Sequence, residues 1–341
     1  MGVQLSDIVT RQKIGLEQLR GRVIAVDAMN SLYQFLSIIR QRDGELLRDS
    51  KGRITSHLSG LFYRTANFVE AGIRPIYVFD GEPPKLKRQT VEQRRALRAE
   101  AAEEWTKALR EGKVEEARKF AQRAGRVDER MIRQAQTLLD EMGLPWVQAP
   151  GEGEAQAARL VQRGDAWAAA SQDFDSLLFG APTLVRNLAI TGQRKLPGKD
   201  AYITVSPEVI ELKAVMEELG VTREQMVDIG ILVGTDYNEG VKGIGPKKAL
   251  ELVKKMGSIK EIARTDLGKF EVDPLEVREI FLKPNVTDEY EVNWGEPDPE
   301  GIKRFLCDEH DFSESRVQTG IDKLHKGREK RGQALIEKWF G

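Results

Sequence analysis

Apolar residues follow two spacings along this chain. Short runs at 22–27, 75–80, 145–148 and 167–171 read as buried strands. Between them, at 28–40, 57–70, 134–142 and 155–163, apolar positions recur every three to four residues, the spacing of amphipathic helices. Strand and helix in alternation predict an α/β fold with a mostly parallel central sheet flanked by helices. Weaker runs at 184–188, 194–196 and 201–205 predict further strands, with Gly192 and Gly198 in turns, whereas 208–219 and 223–233 predict helices. Residues 1–20 mix short helical periodicity with polar positions, and 41–53 read as a loop. Residues 255–300 alternate short helices with Pro-rich loops, and 302–322 read as a helix broken near 311–313.

The ends of these runs carry carboxylates. The run 22–27 ends in Asp27, the run 75–80 ends in Asp80, and the run 167–171 is followed by Asp173 and Asp175. Ligands of parallel sheets gather at the carboxyl ends of the strands. A lone aspartate there is ordinarily a turn or cap residue; three on one rim are hard to explain that way. Glu152 and Glu154 follow the run 145–148, with Gly151 and Gly153 letting the backbone approach closely. In extended or turn-like backbone, residues i and i+2 face the same side, so each acidic pair can present two carboxylates to one point. Hard oxygen ligands in such numbers suit Mg²⁺ or Mn²⁺ and not Zn²⁺. Either pair alone also reads as an acidic helix start or a solvated turn. Together they would repel, each raising the pKa of the others unless cations neutralise them.

Charge matters here by its distribution. The 341 residues are 40% hydrophobic and 31% charged, with a net charge of −1, enough for a large core but no global sign of a polyanionic partner. Residues 85–133 are helical in pattern and poor in apolar positions, which predicts a projecting helical pair. Its first part holds Lys85, Lys87, Arg88, Arg94, Arg95 and Arg98 against one acid, Glu92. A basic helix starting directly after Asp80-Gly-Glu-Pro-Pro would overhang the carboxylates and face a phosphorylated ligand; the alternative is a solvated, salt-bridged pair. Further on, Gly243-Ile-Gly245-Pro-Lys247-Lys248 sits between two helical patterns. That reads as a helix–hairpin–helix, whose backbone N–H groups suit a DNA phosphate without reading bases. Near the end, Gln333, Ile336, Trp339 and Phe340 on a loose terminus resemble a short anchor for a partner's groove, although a final helix docked on its own core fits the spacing equally.

Other chemistry is narrowed by what the residues lack. The single Cys307 excludes an intrachain disulfide framework and fits a reducing compartment. His57, His310 and His325 are scattered, with no Cys/His cluster for zinc. No secretory signal or long apolar span is visible, so an intracellular protein with no membrane partner is expected. Heavy use of Glu, Arg and Lys is a thermophile-like composition.

Across its whole length the chain resembles the flap endonucleases, structure-specific 5′ nucleases of DNA replication and repair, in their short archaeal form. The resemblance rests on V-I-A-V-D-A, H-L-S-G-L-F-Y-R-T, Y-V-F-D-G-E-P-P, P-G-E-G-E-A, S-Q-D-F-D-S-L-L-F-G and G-T-D-Y-N-E-G-V-K-G-I-G-P-K-K-A, which occur in the family's order. It implies a PIN-like 5′ nuclease fold with a helical arch. It implies that Asp27, Asp80, Glu152, Glu154, Asp173, Asp175 and Asp236 hold two Mg²⁺ ions, with Mn²⁺ as a substitute, and that Lys87 and Arg94 engage the scissile phosphate. Tyr33 would stack on a terminal base, Arg64 and the processed amino terminus at Gly2 would lie against DNA, and the hairpin at Gly243 and Gly245, with Lys247 and Lys248, would hold duplex and a K⁺ ion. Gln333, Ile336, Trp339 and Phe340 would form a box for the sliding clamp PCNA, with Ile336 in place of the commoner Leu.

The expected organisation is a nuclease region at 1–84 and 134–220, an arch at 85–133, a duplex-binding region at 221–300, packing helices at 301–326 and a tail at 327–341. The expected substrate is branched DNA, a 5′ flap or nicked duplex, met by a monomer in the archaeal cytoplasm or nucleoid. Rival readings are a phosphatase using Asp173-Phe-Asp175, a non-catalytic DNA scaffold tethered to the clamp, and a gap or bubble nuclease of the same superfamily.

Overall fold

A computed structural model describes residues 2–41, 43–195, 202–265, 267 and 270–340. Among the described residues nine strands follow one another as β1 (Gln12–Lys13), β2 (Val23–Asp27), β3 (Arg74–Phe79), β4 (Trp146–Gln148), β5 (Ala168–Ala170), β6 (Thr183–Arg186), β7 (Gly192–Lys195), β8 (Tyr202–Val205) and β9 (Glu208–Glu211). Seven of them make one sheet in the order β1-β9-β6-β5-β2-β3-β4. The five strands β4, β3, β2, β5 and β6 are mutually parallel, while β9 and β1 close the edge antiparallel. From central β2 the chain moves outward through β3 and β4, then returns to the other side of β2 as β5. The crevice between β2 and β5 is therefore the topological switch point, where ligands of open α/β sheets bind.

The alternation along the strands explains why both faces are covered. Ile24 and Val26 point into one apolar cluster with Tyr77, Phe79 and Ala170, and Ala25 points into the other with Ile76, Val78 and Ala169. Helices Ala28–Ile38, Ser56–Glu70 and Glu129–Glu141 cover the first face, and Gly153–Arg163 and Arg223–Val233 the second. The break expected near 311–313 is real: Asp311 adopts a left-handed φ of 59°, between the π-turn Arg304–Asp308 and the helix Glu314–Phe340.

Three sequence expectations change. Residues 208–211 are the strand β9 and not the start of a helix, which runs only Leu212–Leu219. Val209 and Ile210 are β-branched, and pairing with Val185 and Leu184 outweighs their helical spacing. Of the runs expected at 194–196 and 201–205, the described residues 194–195 and 202–205 stand apart from the main sheet in the two-stranded β7–β8; residues 196–201, Gly198 among them, lie outside the described residues. The segment expected as a loose tail continues the helix Glu314–Phe340, but the side chains of Gln333, Ile336, Trp339 and Phe340 lie outside those described.

The 85–133 segment is the helical pair expected, Lys87–Arg110 and Val114–Ala124, followed by Glu129–Glu141. Among the described side chains of the pair, Ala101, Ala108, Ala117 and Ala121 are buried.

Candidate active site

All seven acidic residues come together at the carboxyl edge of the parallel strands, under the helix Lys87–Arg110. Asp27 ends β2 and also caps the next helix: its Oδ1 accepts the Asn30 N–H at 2.9 Å. Asp80 follows β3, and its Oδ1 accepts the Gly153 N–H at 2.7 Å. A Cβ on Gly153 would stand 2.6 Å from that oxygen, so glycine is what lets the 150–155 loop come this close. Asp175 opens the short helix Asp175–Leu178, and its Oδ1 accepts the Val3 N–H at 2.7 Å. Asp236 sits just beyond the helix Arg223–Val233, at the start of the hairpin segment.

The two glutamates have different immediate partners. Glu152 is the residue capping the helix Gly153–Arg163 and contacts Lys87. Glu154 lies inside the first turn and accepts the Ser176 hydroxyl at 3.2 Å, with Asp175, Asp27 and Asp173 around it. The helix begins between them, so Glu152 lies toward Lys87 and Glu154 toward Asp175.

Burial and mutual repulsion govern the electrostatics. Burial, then Asp80 and Asp173, push Asp27 up to about 8, against the Asn30 N–H. Burial, then Asp236 and Asp173, push Asp175 up to about 7. Asp80 and Glu154 are raised by burial too, Glu154 also by Asp175, and burial keeps Glu152 raised in spite of Lys87. Asp236 goes the other way: burial would raise it, but Arg94 and Lys87 outweigh that and hold it low. Lys87, though desolvated, is held charged by Glu152, Asp80 and Asp236. A set of buried carboxylates that drive one another toward neutrality is a site in want of positive charge, and hard oxygen donors fit Mg²⁺ or Mn²⁺. In this conformation Lys87 and Arg94 provide the charge, and among the described residues no three acidic or imidazole groups are drawn into a ready coordination sphere.

A pH dependence follows. Asp27 and Asp175 bind protons in the fold that the unfolded chain, whose carboxyls titrate near 3.8, has released. Their stabilising contribution is full below about pH 4 and lost as pH rises through 7 and 8. His57, depressed by burial to about 4, is neutral in the fold throughout this range; the unfolded imidazole, titrating near 6.5, has lost its proton by about pH 7.5, so His57 opposes the trend only weakly and only at the lower end. In EDTA the melting temperature should fall between pH 6.5 and 8.5 by the equivalent of a few kcal/mol, and Mg²⁺ should restore it at the upper end. A melting temperature flat across that window in EDTA would contradict the assignment.

The basic helix faces the site along one stripe. Lys87, Arg94 and Arg98 are spaced i, i+7 and i+11, one face of a helix. Lys87 contacts Glu152 and lies 3.7 Å from Asp236, Arg94 contacts Asp236, and the Arg98 guanidinium lies 4.7 Å over the Tyr33 ring. Tyr33, on the helix Ala28–Ile38, thus stands at the margin of the carboxylates. Arg64 is farther round, donating to the Thr191 carbonyl at 3.1 Å beside β7. Gly2 packs directly on the site, its would-be Cβ 2.7 Å from both Asp175 carboxylate oxygens. Gly243 has φ 82° and Gly245 caps the helix Pro246–Met256; nothing lies within 4 Å of either position's would-be Cβ, so the hairpin presents an open backbone face. Lys247 and Lys248 are exposed there, with Lys248 Nζ 3.3 Å from the Gly243 carbonyl. Sequence reasoning overlooked Asn30 and Ser171, which touch Asp27 and Asp173. The available signal was the spacing of Asp27 and Asn30: a strand-end aspartate that caps a helix faces the residue three positions on.

Residues 1–101 match the XPG N-terminal domain family and residues 143–236 the XPG I-region family. Flap endonuclease 1 of Pyrococcus horikoshii is 57% identical over 345 residues, covering 100% of this chain and 98% of that one. The flap endonuclease-1 structure from Methanococcus jannaschii, 44% identical, superposes with a TM-score of 0.77 over 97% of this chain and 100% of that one. The catalytic core of Rad2 in complex with a DNA substrate, 26% identical, does so with a TM-score of 0.71 over 95% and 100%. The fold is thus the PIN-like nuclease fold that the resemblance implied, and the chain belongs to the flap endonuclease 1 family.

Proposed function

We propose that this chain is a structure-specific 5′ flap endonuclease with 5′–3′ exonuclease activity. It would cut 5′ flaps near the junction of single and double strand, leaving a 5′-phosphate and a 3′-hydroxyl, in lagging-strand maturation and base excision repair. The observation that carries this reading is the overhang of a basic helix on seven carboxylates at the switch crevice. Asp27, Asp80, Glu152, Glu154, Asp173, Asp175 and Asp236 would hold divalent cations, which when bound would supply an activated hydroxide and charge stabilisation for an in-line displacement at phosphorus.

The protein's own groups do the rest. Lys87 and Arg94, which now contact Glu152 and Asp236, are within reach of a phosphate at the same carboxylates, where they would stabilise charge on its non-bridging oxygens. Tyr33 offers its ring to a terminal base, exchanging Arg98 for it. The hairpin at Gly243 and Gly245, with Lys247 and Lys248, grips duplex phosphates through backbone N–H groups and charge, its carbonyls offering a place for K⁺. Among the described residues no helix is long and apolar enough to cross a membrane.

The decisive assay is cleavage of a 5′-labelled double-flap DNA in Mg²⁺ and in EDTA, beside plain single strand. A Mg²⁺-dependent cut near the junction, absent on the single strand, is expected. Protein that binds the flap yet cuts in neither Mg²⁺ nor Mn²⁺ would leave a non-catalytic scaffold in its place. We also assign Gln333, Ile336, Trp339 and Phe340 to sliding-clamp binding, by a chain that acts as a monomer. Deleting residues 333–341 should leave free-flap cleavage unchanged while removing stimulation by the clamp; persisting stimulation would refute it.

A further inference from the structure

Asp27 and Asp173 face each other across the crevice between β2 and β5, and Asp173 raises the cost of charge on Asp27. Two neutral residues bracket the pair. Asn30 gives its backbone N–H to Asp27 Oδ1 at 2.9 Å and its side-chain Nδ2 to Asp173 Oδ2 at 3.3 Å. Ser171 lies with its hydroxyl 3.5 Å from Asp27 Oδ2 while accepting the Asp173 N–H at 3.2 Å. Asn30 thus joins, through one residue, a carboxylate that ends β2 and one that follows β5. We propose that Asn30 is a positioning residue that holds Asp27 and Asp173 at the separation a shared divalent cation requires.

The choice of an amide has a physical reason. The two carboxylates repel and would splay without a donor between them. A lysine or arginine would hold them by charge but compete with the metal for it. A third carboxylate would add repulsion. An amide donates without charge, and its place three residues after the capping Asp27 aims the backbone N–H at one acid and the side chain at the other. Such outer partners of metal ligands typically change metal affinity by about 10–100-fold when removed.

This inference rests on the nuclease reading above, and the test keeps the two apart. Mn²⁺ binding to the full chain without DNA is measured by electron paramagnetic resonance for the parent, Asn30→Ala and Asn30→Leu, with melting curves to verify folding. Flap cleavage is then followed against Mg²⁺ concentration. Both variants should bind Mn²⁺ about 10-fold more weakly and shift the Mg²⁺ midpoint upward by a similar factor, with cleavage approaching the parental plateau at saturating metal. Leucine fills the volume but lacks the donor, so parental affinity in Asn30→Leu would show a packing role and overturn the proposal; if Asn30→Ala does not fold, Asn30→Leu alone decides. Unchanged affinity in both variants would overturn it equally. A parent that neither binds Mn²⁺ nor cuts the flap would instead sink the nuclease reading itself.

Discussion

Asp27→Asn should lower flap cleavage by on the order of 10³-fold, the upper end of what one electrostatic contact supplies, while raising the melting temperature of the metal-free protein at pH 8. The two effects have one cause. Asp27 is 7% exposed and crowded by Asp80 and Asp173, so holding it ionised costs the fold free energy that an amide does not. The amide oxygen can still cap the helix by accepting the Asn30 N–H. DNA binding in EDTA should be nearly unchanged, because the hairpin and Lys247 lie outside the change. The measurements are single-turnover cleavage at saturating enzyme and thermal melting with and without Mg²⁺. A variant that loses activity but melts lower at pH 8 in EDTA would mean that Asp27 is a structural acid.

Gly2→Val should cost on the order of 10²-fold in cleavage, the scale set by displacing reacting groups by about an ångström. A side chain at position 2 has no room: its Cβ would stand 2.7 Å from both Asp175 oxygens and 2.8 Å from the Asp173 Cβ. Either those carboxylates move or the amino-terminal segment lifts, and lifting it forfeits the Val3 N–H bond to Asp175. Because Val3 and Leu5 are buried in the core, the segment is anchored and the carboxylates are the more mobile partner. Cleavage rates measured at several Mg²⁺ concentrations test this, and a Gly2→Val protein of parental activity would refute it. An uncleaved amino-terminal tag should act in the same direction.

Much of this site was legible in the sequence because strand ends are. An apolar run stopped by an aspartate announces both a strand and the side of the sheet where the acid emerges, which located Asp27, Asp80 and Asp173. Long-range closure was less legible. No local pattern shows that Val3 donates to Asp175, a separation of 172 residues, and only the family resemblance assigned Asp236 to the site. The different partners of Glu152 and Glu154 were not legible, because the helix begins between them, at Gly153. The strand β9 was misread because four residues of mixed pattern carry too little periodicity to outvote a neighbouring helix. Its pairing with β6 is decided by tertiary contact.

Among the described side chains of the helical pair over the site, the buried apolar ones are alanines, and at about 0.8 kcal/mol per methyl-sized group these give a few kcal/mol at most. Lys87 and Arg94 moor the pair to Glu152 and Asp236, two of the acids assigned to the metals. Cation and arch are therefore rivals for one reservoir of negative charge, and linkage makes the rivalry reciprocal: whatever the metal does to the mooring, the mooring does to the metal by the same factor. Lys87→Ala should then bind Mn²⁺ more tightly than the parent even as it cuts more slowly, and equal or weaker binding would exclude the rivalry. On this view the arch is a built-in competitive ligand, displaced most readily when metal and the phosphate of a correct substrate arrive together.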